Sequence, residues 1–333
     1  MEKDITKKRL EEYNDVFADI FNNLVFDGDE ILEEGNLVSL PTEAFTRKVG
    51  GKLRQGNRDV RKSDNRNQHY RLIYGLENQE SCDNTMPERT MGYDYAAYED
   101  QIRQIVEQNE KSKKPAYTKR IHDDQKLAPV VTAVLYFGSD WTGPRRLYEM
   151  LDFPEALKGR LERLVPDYRI NLIEVKKLPE EVRSRLTSDF RLIAEFIACR
   201  NQPQKLDALL ADDKHVIKHP EEFFDLLETI TSDKRFLEAK EMLTEEERKG
   251  GVTMCDGLDR IENRGIEKGK AIGKKSGKKL GKKLGKKIGI KEERERMLQL
   301  IQCMTENGEA DLIPELSKKP ELVQEKYQKY NLL

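Results

Sequence analysis

Three side chains have the types and spacing to do chemistry together: Asp59, Glu77 and Gln79. The run Tyr70-Arg71-Leu72-Ile73-Tyr74-Gly75-Leu76-Glu77 alternates polar with apolar residues and is rich in aromatic and branched side chains, which predicts a β-strand. Ser63 to Gln68 is polar and reads as the turn before it, and a short strand around Arg58 to Arg61 then pairs back as a hairpin. That pairing sets the Asp59 carboxylate beside Glu77 and Gln79, which lie two apart and share a face. Two carboxylates and an amide at a strand end suit a hard divalent cation, Mg²⁺ before others, with Mn²⁺ as a substitute. The competing reading is a pair of solvated surface acids in a chain that is 37% charged.

The remaining pattern supplies what such a hairpin needs around it. Leu10, Tyr13, Phe17, Ile20, Phe21 and Leu24 recur at helical spacing, so residues 1–26 read as an amphipathic helix stopped by Asp27-Gly28-Asp29. Thr42-Glu43-Ala44-Phe45 reads as a short helix start or turn, and Gly50 to Asn57 as a flexible basic approach that either touches phosphates or is a solvated loop. Pro87 suits the first turn of a helix running to about Asn109, with Met91, Tyr95, Tyr98, Ile102, Ile105 and Val106 as its apolar stripe. Arg89 sits in that first turn, where the helix dipole disfavours a cation. It either meets an anion beside the site or is exposed. Ala128 to Gly138 is nearly continuously apolar, as a strand covered on both faces would be, and Ile170 to Val175 is a further strand. Helical spacing returns around Leu186 to Ile197 and Phe223 to Ile230. The order predicts an α/β fold, a central mixed sheet flanked by helices and followed by a helical C-terminal region.

Composition excludes several classes. No apolar run reaches membrane-spanning length, and the N-terminus lacks the apolar core of a secretory signal. Cys82, Cys199, Cys255 and Cys303 form no closely spaced pair, so reduced thiols and a cytoplasmic location are expected rather than disulfides or a zinc site. His215 and His219 stand four apart, but Pro220 follows at once and no acidic ligand is suitably placed. The formal charge of -2 hides an asymmetry: residues 264–291 carry twelve Lys and Arg against one acid, so the other residues together carry about -13.

That basic stretch is also the one internal repeat. Glycines fall at 265, 269, 273, 277, 281, 285 and 289, with lysine pairs between most of them. A period of four overshoots the 3.6 of a helix, turning any stripe by about 40° per repeat, and each Gly costs about 1 kcal/mol relative to Ala. A stable isolated helix is therefore not expected. Three readings stand: a tolerated low-complexity linker, self-association with a possible homo-oligomer, or polyanion binding through Lys274, Lys275, Lys278, Lys279, Lys282 and Lys283.

Arg58-Asp59-Val60, then Gly75-Leu76-Glu77-Asn78-Gln79, then Met86-Pro87-Glu88-Arg89-Thr90-Met91-Gly92-Tyr93-Asp94, resemble the recombination-promoting nuclease family, transposase-like proteins of the PD-(D/E)xK nuclease superfamily. Pro129-Val130-Val131-Thr132 with Tyr136-Phe137-Gly138, Trp141 and Gly143-Pro144-Arg145, and Met254-Cys255 ahead of the charged tail, are similar to the same pattern. The resemblance implies a restriction-endonuclease-like core over 1–178, a helical region over 179–250 and a repeat tail with helices over 251–333. It implies a Mg²⁺- or Mn²⁺-dependent DNA endonuclease linked to recombination, with Asp59, Glu77 and the Asn78 backbone carbonyl on the metal. The superfamily's usual lysine is Gln79 here, which orients water but brings no charge, so Lys62 or Arg89 would have to supply it. Glu43 matches the superfamily's habit of placing an acid on an upstream helix, or else is a helix-start Glu favoured by the macrodipole. The alternative is a catalytically weak nuclease-fold protein that binds DNA or assembles through its tail.

Overall fold

The computed structural model describes residues 10–49, 52–57, 59–67, 70–112, 120–199, 202, 204 and 214–332. The chain divides into two compact units, Met1–Ile261 and Glu262–Leu333. Arg58, Gln68 and His69, and the first nine residues of the predicted N-terminal helix, lie outside the described residues.

In the first unit, helix α1 (Asn14–Ile20) continues as a π-turn over Phe21–Val25 and ends where Asp27 and Gly28 take positive φ. Next come strands β1 (Leu37–Ser39), β2 (Glu43–Val49), β3 (Lys52–Asn57), β4 (Val60–Asn67) and β5 (Tyr70–Gln79). Helix α2 (Met86–Lys111) crosses over to β6 (Val130–Tyr136), and β7 (Asn171–Glu174) follows. The main sheet has the order β1-β4-β5-β6-β7, with β1, β4 and β5 antiparallel in turn and β5, β6 and β7 parallel. The fold is thus α/β with a five-stranded mixed sheet, as the pattern of runs predicts. Strand β6 is buried on both faces: Ala133 and Leu135 join the core containing Phe17, Phe21 and Tyr74, while Val134 and Tyr136 pack with Met86 and Trp141.

Three local expectations are corrected. Ser63 to Asn67 is not a turn but the body of β4, and Arg61, Lys62, Ser63 and Asp64 are all buried. Polarity imitated a turn there; Lys62 is met by Glu12 O, Asn14 and Ser39, and Arg61 by Asp100 of α2, which makes their burial tolerable. Glu43 opens strand β2, not a helix, paired opposite Asn57. Helix α2 does not bury the stripe expected of it: Met91 and Tyr95 are exposed, and Met86, Thr90, Tyr93, Asp94, Ala97 and Gln101 face inward. Its buried polar groups are satisfied, Asp94 accepting from Thr132 Oγ1 at 2.5 Å and Gln101 exchanging hydrogen bonds with the Ala128 backbone.

Helices α3 (Phe190–Cys199) and α4 (Pro220–Thr231) carry the apolar faces expected of them onto the main core. The Gly-Lys repeat lies within one continuous helix, α5 (Met254–Glu306). In the second unit Leu300 and Met304 pack on Leu316 and on Tyr327 of α6 (Pro320–Lys329).

Candidate active site at the ends of β4 and β5

Register brings the two carboxylates together. Val60 pairs with Leu76, so Asp59, one residue before β4, lies level with the end of β5. Its Oδ2 accepts the Asn78 backbone N–H at 2.7 Å, one residue from Glu77. The odd residues of β5 bond to β6, as Phe137 N–H to Gln79 O shows, so the backbone groups of Asn78 turn toward the β4 edge where Asp59 sits. Tyr93 registers both charges: burial and the nearby Glu77, with a further contribution from Asp59, raise its pKa despite its hydrogen bond to Arg89. Asp59 and Glu77 thus both stand within electrostatic reach of Tyr93.

Glu77 is 2% exposed and faces α2. Its Oε1 is bound by the Arg89 guanidinium and accepts from Gln79 Nε2 at 3.2 Å. Arg89 also reaches Asp83 Oδ2 at 2.6 Å and Tyr93 Oη at 3.1 Å. Burial works against the Arg89 charge, but Glu77, Asp83 and Tyr93 outweigh it and hold its pKa above the ordinary arginine value. The first-turn arginine therefore has an anionic partner beside the site. Gln79 shares that face and hydrogen-bonds the carboxylate.

Lys62 does not belong to the site. It lies an odd number of residues from Asp59, pairs with Tyr74, and is fully buried on the α1 face. Its Nζ donates to Glu12 O at 2.6 Å and Asn14 Oδ1 at 2.5 Å, 5.4 Å from the Phe17 ring centre. Burial lowers its pKa, with Glu12 and Asp15 opposing. It cannot supply the cation missing at Gln79. Glu43 stands on β2 and its side chain lies outside the described residues, so it is not the helix-borne acid. A residue that the sequence reading passed over lies close by: Glu11, fully buried just before α1, accepts from Asn78 Nδ2 at 2.5 Å. Its spacing from Leu10 and Tyr13 on a helical stripe was visible, but its proximity to Asn78 depends on a pairing 67 residues away in sequence.

Among the described residues no group of three His, Cys, Asp or Glu side chains stands ready to hold a metal. The Asp59 and Glu77 carboxylates and the Asn78 backbone carbonyl are oxygen donors of the kind a hard cation takes, while the Asn78 side chain turns to the other face and meets Glu11. Arg89 binds Glu77 Oε1, so a cation at that oxygen would compete with the guanidinium. An open pocket of about 560 Å³ adjoins Asp59, lined by Glu12, Tyr13, Ser39, Arg61 and Glu222. His215 and His219 serve elsewhere: His215 Nε2 is 2.9 Å from Asp189, and His219 stacks on Tyr13 and meets Asp15 at 3.0 Å. Cys82, in the loop after β5, accepts the Thr142 backbone N–H at 3.1 Å; that bond and the Thr142 hydroxyl bring its thiol pKa down to about 7. Lys274, Lys275, Lys278, Lys279, Lys282 and Lys283 are exposed on α5. Among the described residues no helix is long and apolar enough to cross a membrane. No protein-family model, curated protein or solved structure matches the chain.

Proposed function

We propose that the protein is a divalent-metal-dependent DNA endonuclease of restriction-endonuclease-like fold, associated with recombination in the manner of transposase-like nucleases. The observation that carries this reading is the Asp59 carboxylate held on the Asn78 N–H, one residue from Glu77, at the end of two paired strands. The sheet order and the crossover through α2 support it, as does the resemblance of the flanking motifs. Asp59, Glu77 and the Asn78 carbonyl would hold Mg²⁺ or Mn²⁺. If bound there, the metal would lower the pKa of water for attack and neutralise charge at the leaving oxygen of a phosphodiester. Gln79, hydrogen-bonded to Glu77, orients water on the same face. Arg89 brings the positive charge that Gln79 lacks, and once released from Glu77 it remains tethered by Asp83.

Plasmid relaxation with Mg²⁺, Mn²⁺ or EDTA tests the reading on wild type, Asp59→Ala and Glu77→Ala. Each substitution should lower the cleavage rate by about a thousandfold, roughly 4 kcal/mol of barrier. Undiminished cleavage by both variants would refute the assignment.

The exposed lysines along α5 favour a second reading, in which the protein binds DNA or self-assembles through that helix with little or no catalysis. It predicts salt-sensitive DNA binding and no cleavage with any divalent ion.

A further inference from the structure

Strands β2 and β3 form a two-stranded sheet of their own, outside the five-stranded sheet. The ribbon ends at Asn57, two residues before Asp59, and β2 lies against α2, the helix that carries Arg89 and Tyr93. Its composition is opposite to that of its surroundings. The first unit carries a net charge of -9, the chain's -2 less the +7 from eighteen Lys and Arg against eleven acids in the second unit. The ribbon has four basic residues, Arg47, Lys48, Lys52 and Arg54, and one acid, Glu43 at its base. All four basic residues fall in the three outermost described pairs: Arg47 with Arg54, Lys48 with Leu53 and Val49 with Lys52.

The pairing of Arg47 with Arg54 is unfavourable by itself, since like charges at directly opposed positions repel. A two-stranded ribbon is also marginal in isolation. A register that gathers the basic residues at the ribbon's outer end suits a polyanion partner. Two antiparallel strands fit the B-DNA major groove, roughly 12 Å wide, whereas the A-form RNA groove is too deep and narrow to admit them. With six or seven residues per strand, the ribbon spans about 20 Å, enough to reach across the groove from a backbone phosphate at its base.

We propose that the β2–β3 ribbon is a duplex-DNA docking arm whose basic outer half enters the major groove and whose base presents a backbone phosphate to Asp59 and Glu77. The inference rests on DNA being the substrate of that carboxylate pair, and separate measurements of binding and cleavage keep the two apart. Fluorescence anisotropy of the full-length protein with a labelled DNA duplex, in EDTA and over a salt series, reads binding without cleavage. Replacing Arg47, Lys48, Lys52 and Arg54 by Gln should weaken binding about tenfold or more near 0.1 M salt. It should also flatten the plot of log affinity against log salt by about two to four, close to one for each phosphate that is no longer neutralised. Arg54→Glu separates docking from folding. It places opposite charges at paired positions, so the thermal midpoint should hold or rise while DNA affinity falls. Asp59→Ala should bind in EDTA at least as tightly as wild type, because a carboxylate facing the phosphate is lost, and should fail to cleave. An unchanged salt slope in the fourfold variant would overturn the docking arm, as would equal affinity for an RNA duplex of the same length. Retained cleavage in Asp59→Ala together with weakened binding in the fourfold variant would sink the catalytic assignment and leave the arm standing.

Discussion

Arg89 bears on what the carboxylate pair can do, because it neutralises Glu77 in a nearly buried position and holds one of its two oxygens. Removing it strands a buried carboxylate; with the arginine side chain 32% exposed, the cost is about 1–3 kcal/mol rather than the larger loss of a fully buried pair. Arg89→Gln should therefore melt lower than wild type and regain more of that loss in Mg²⁺ than wild type gains. Adding Asp59→Ala should abolish the extra gain. Equal Mg²⁺ shifts in wild type and Arg89→Gln would show that no cation competes for Glu77. Glu174 gives a second residue-level expectation. Burial opposes its charge, but Lys177 at 2.8 Å, Arg145 and the Trp141 N–H depress its pKa from 4.5 to about 2. A depressed carboxylate stabilises the fold above its unfolded pKa, so this contribution is full above pH 4.5 and is lost as pH falls toward 2. Glu174→Gln should lose stability at neutral pH and show a shallower fall over that window in chemical denaturation. That Asp59 lies level with the end of β5 follows from a strand and a hairpin, which the sequence pattern suggests. The burial of Lys62 on the α1 face was not legible, because the strand was read as ending at Arg61. The role of Glu11 was not legible either, because no local pattern encodes its hydrogen bond with Asn78.

Among the elements, β5 followed from alternation, β6 and β7 from apolar runs and the start of α2 from Pro87, whereas β4 did not, since a strand of buried Arg, Lys, Ser and Asp has the composition of a loop. Such a strand is stable only where neighbours supply partners, as Glu12, Asn14 and Asp100 do here, and those partners are remote in sequence. The Gly-Lys segment failed as an expectation for a different reason. Summed propensity treats it as an isolated peptide, yet it continues a helix begun at Thr253, whose hydroxyl accepts the Asp256 N–H at 3.2 Å. At its far end Leu300 and Met304 are fixed in a packed core, so the segment propagates a helix without nucleating one. Its glycines meet nothing within 4 Å and so have no local packing role. Gly277→Ala and Gly281→Ala should each stabilise the helix by about 1 kcal/mol, read as slower hydrogen exchange of amides over 270–290. Unchanged or faster exchange would mean that the glycines answer to a close neighbour in the working assembly.

For the whole molecule, the controlling feature is the separation of charge between units: the first carries -9 and the second +7, and within the second the basic residues concentrate along α5. Such a molecule is not drawn to a polyanion by its bulk charge; attraction comes from defined basic elements, and each adds its own salt dependence. If α5 meets the phosphate backbone, changing Lys274, Lys275, Lys278, Lys279, Lys282 and Lys283 to Gln removes up to six lysine–phosphate pairings. The slope of log affinity against log salt should then flatten by as much as about five. Because these lysines lie in the unit that lacks Asp59 and Glu77, single-turnover cleavage at saturating DNA should stay at the wild-type rate while half-saturation moves to higher DNA concentration. A loss of maximal rate with unchanged half-saturation would place α5 in the chemical step and contradict a purely electrostatic role. An unchanged slope would leave the repeat as a tolerated spacer, and the acidic first unit would then depend on its basic ribbon alone to approach DNA.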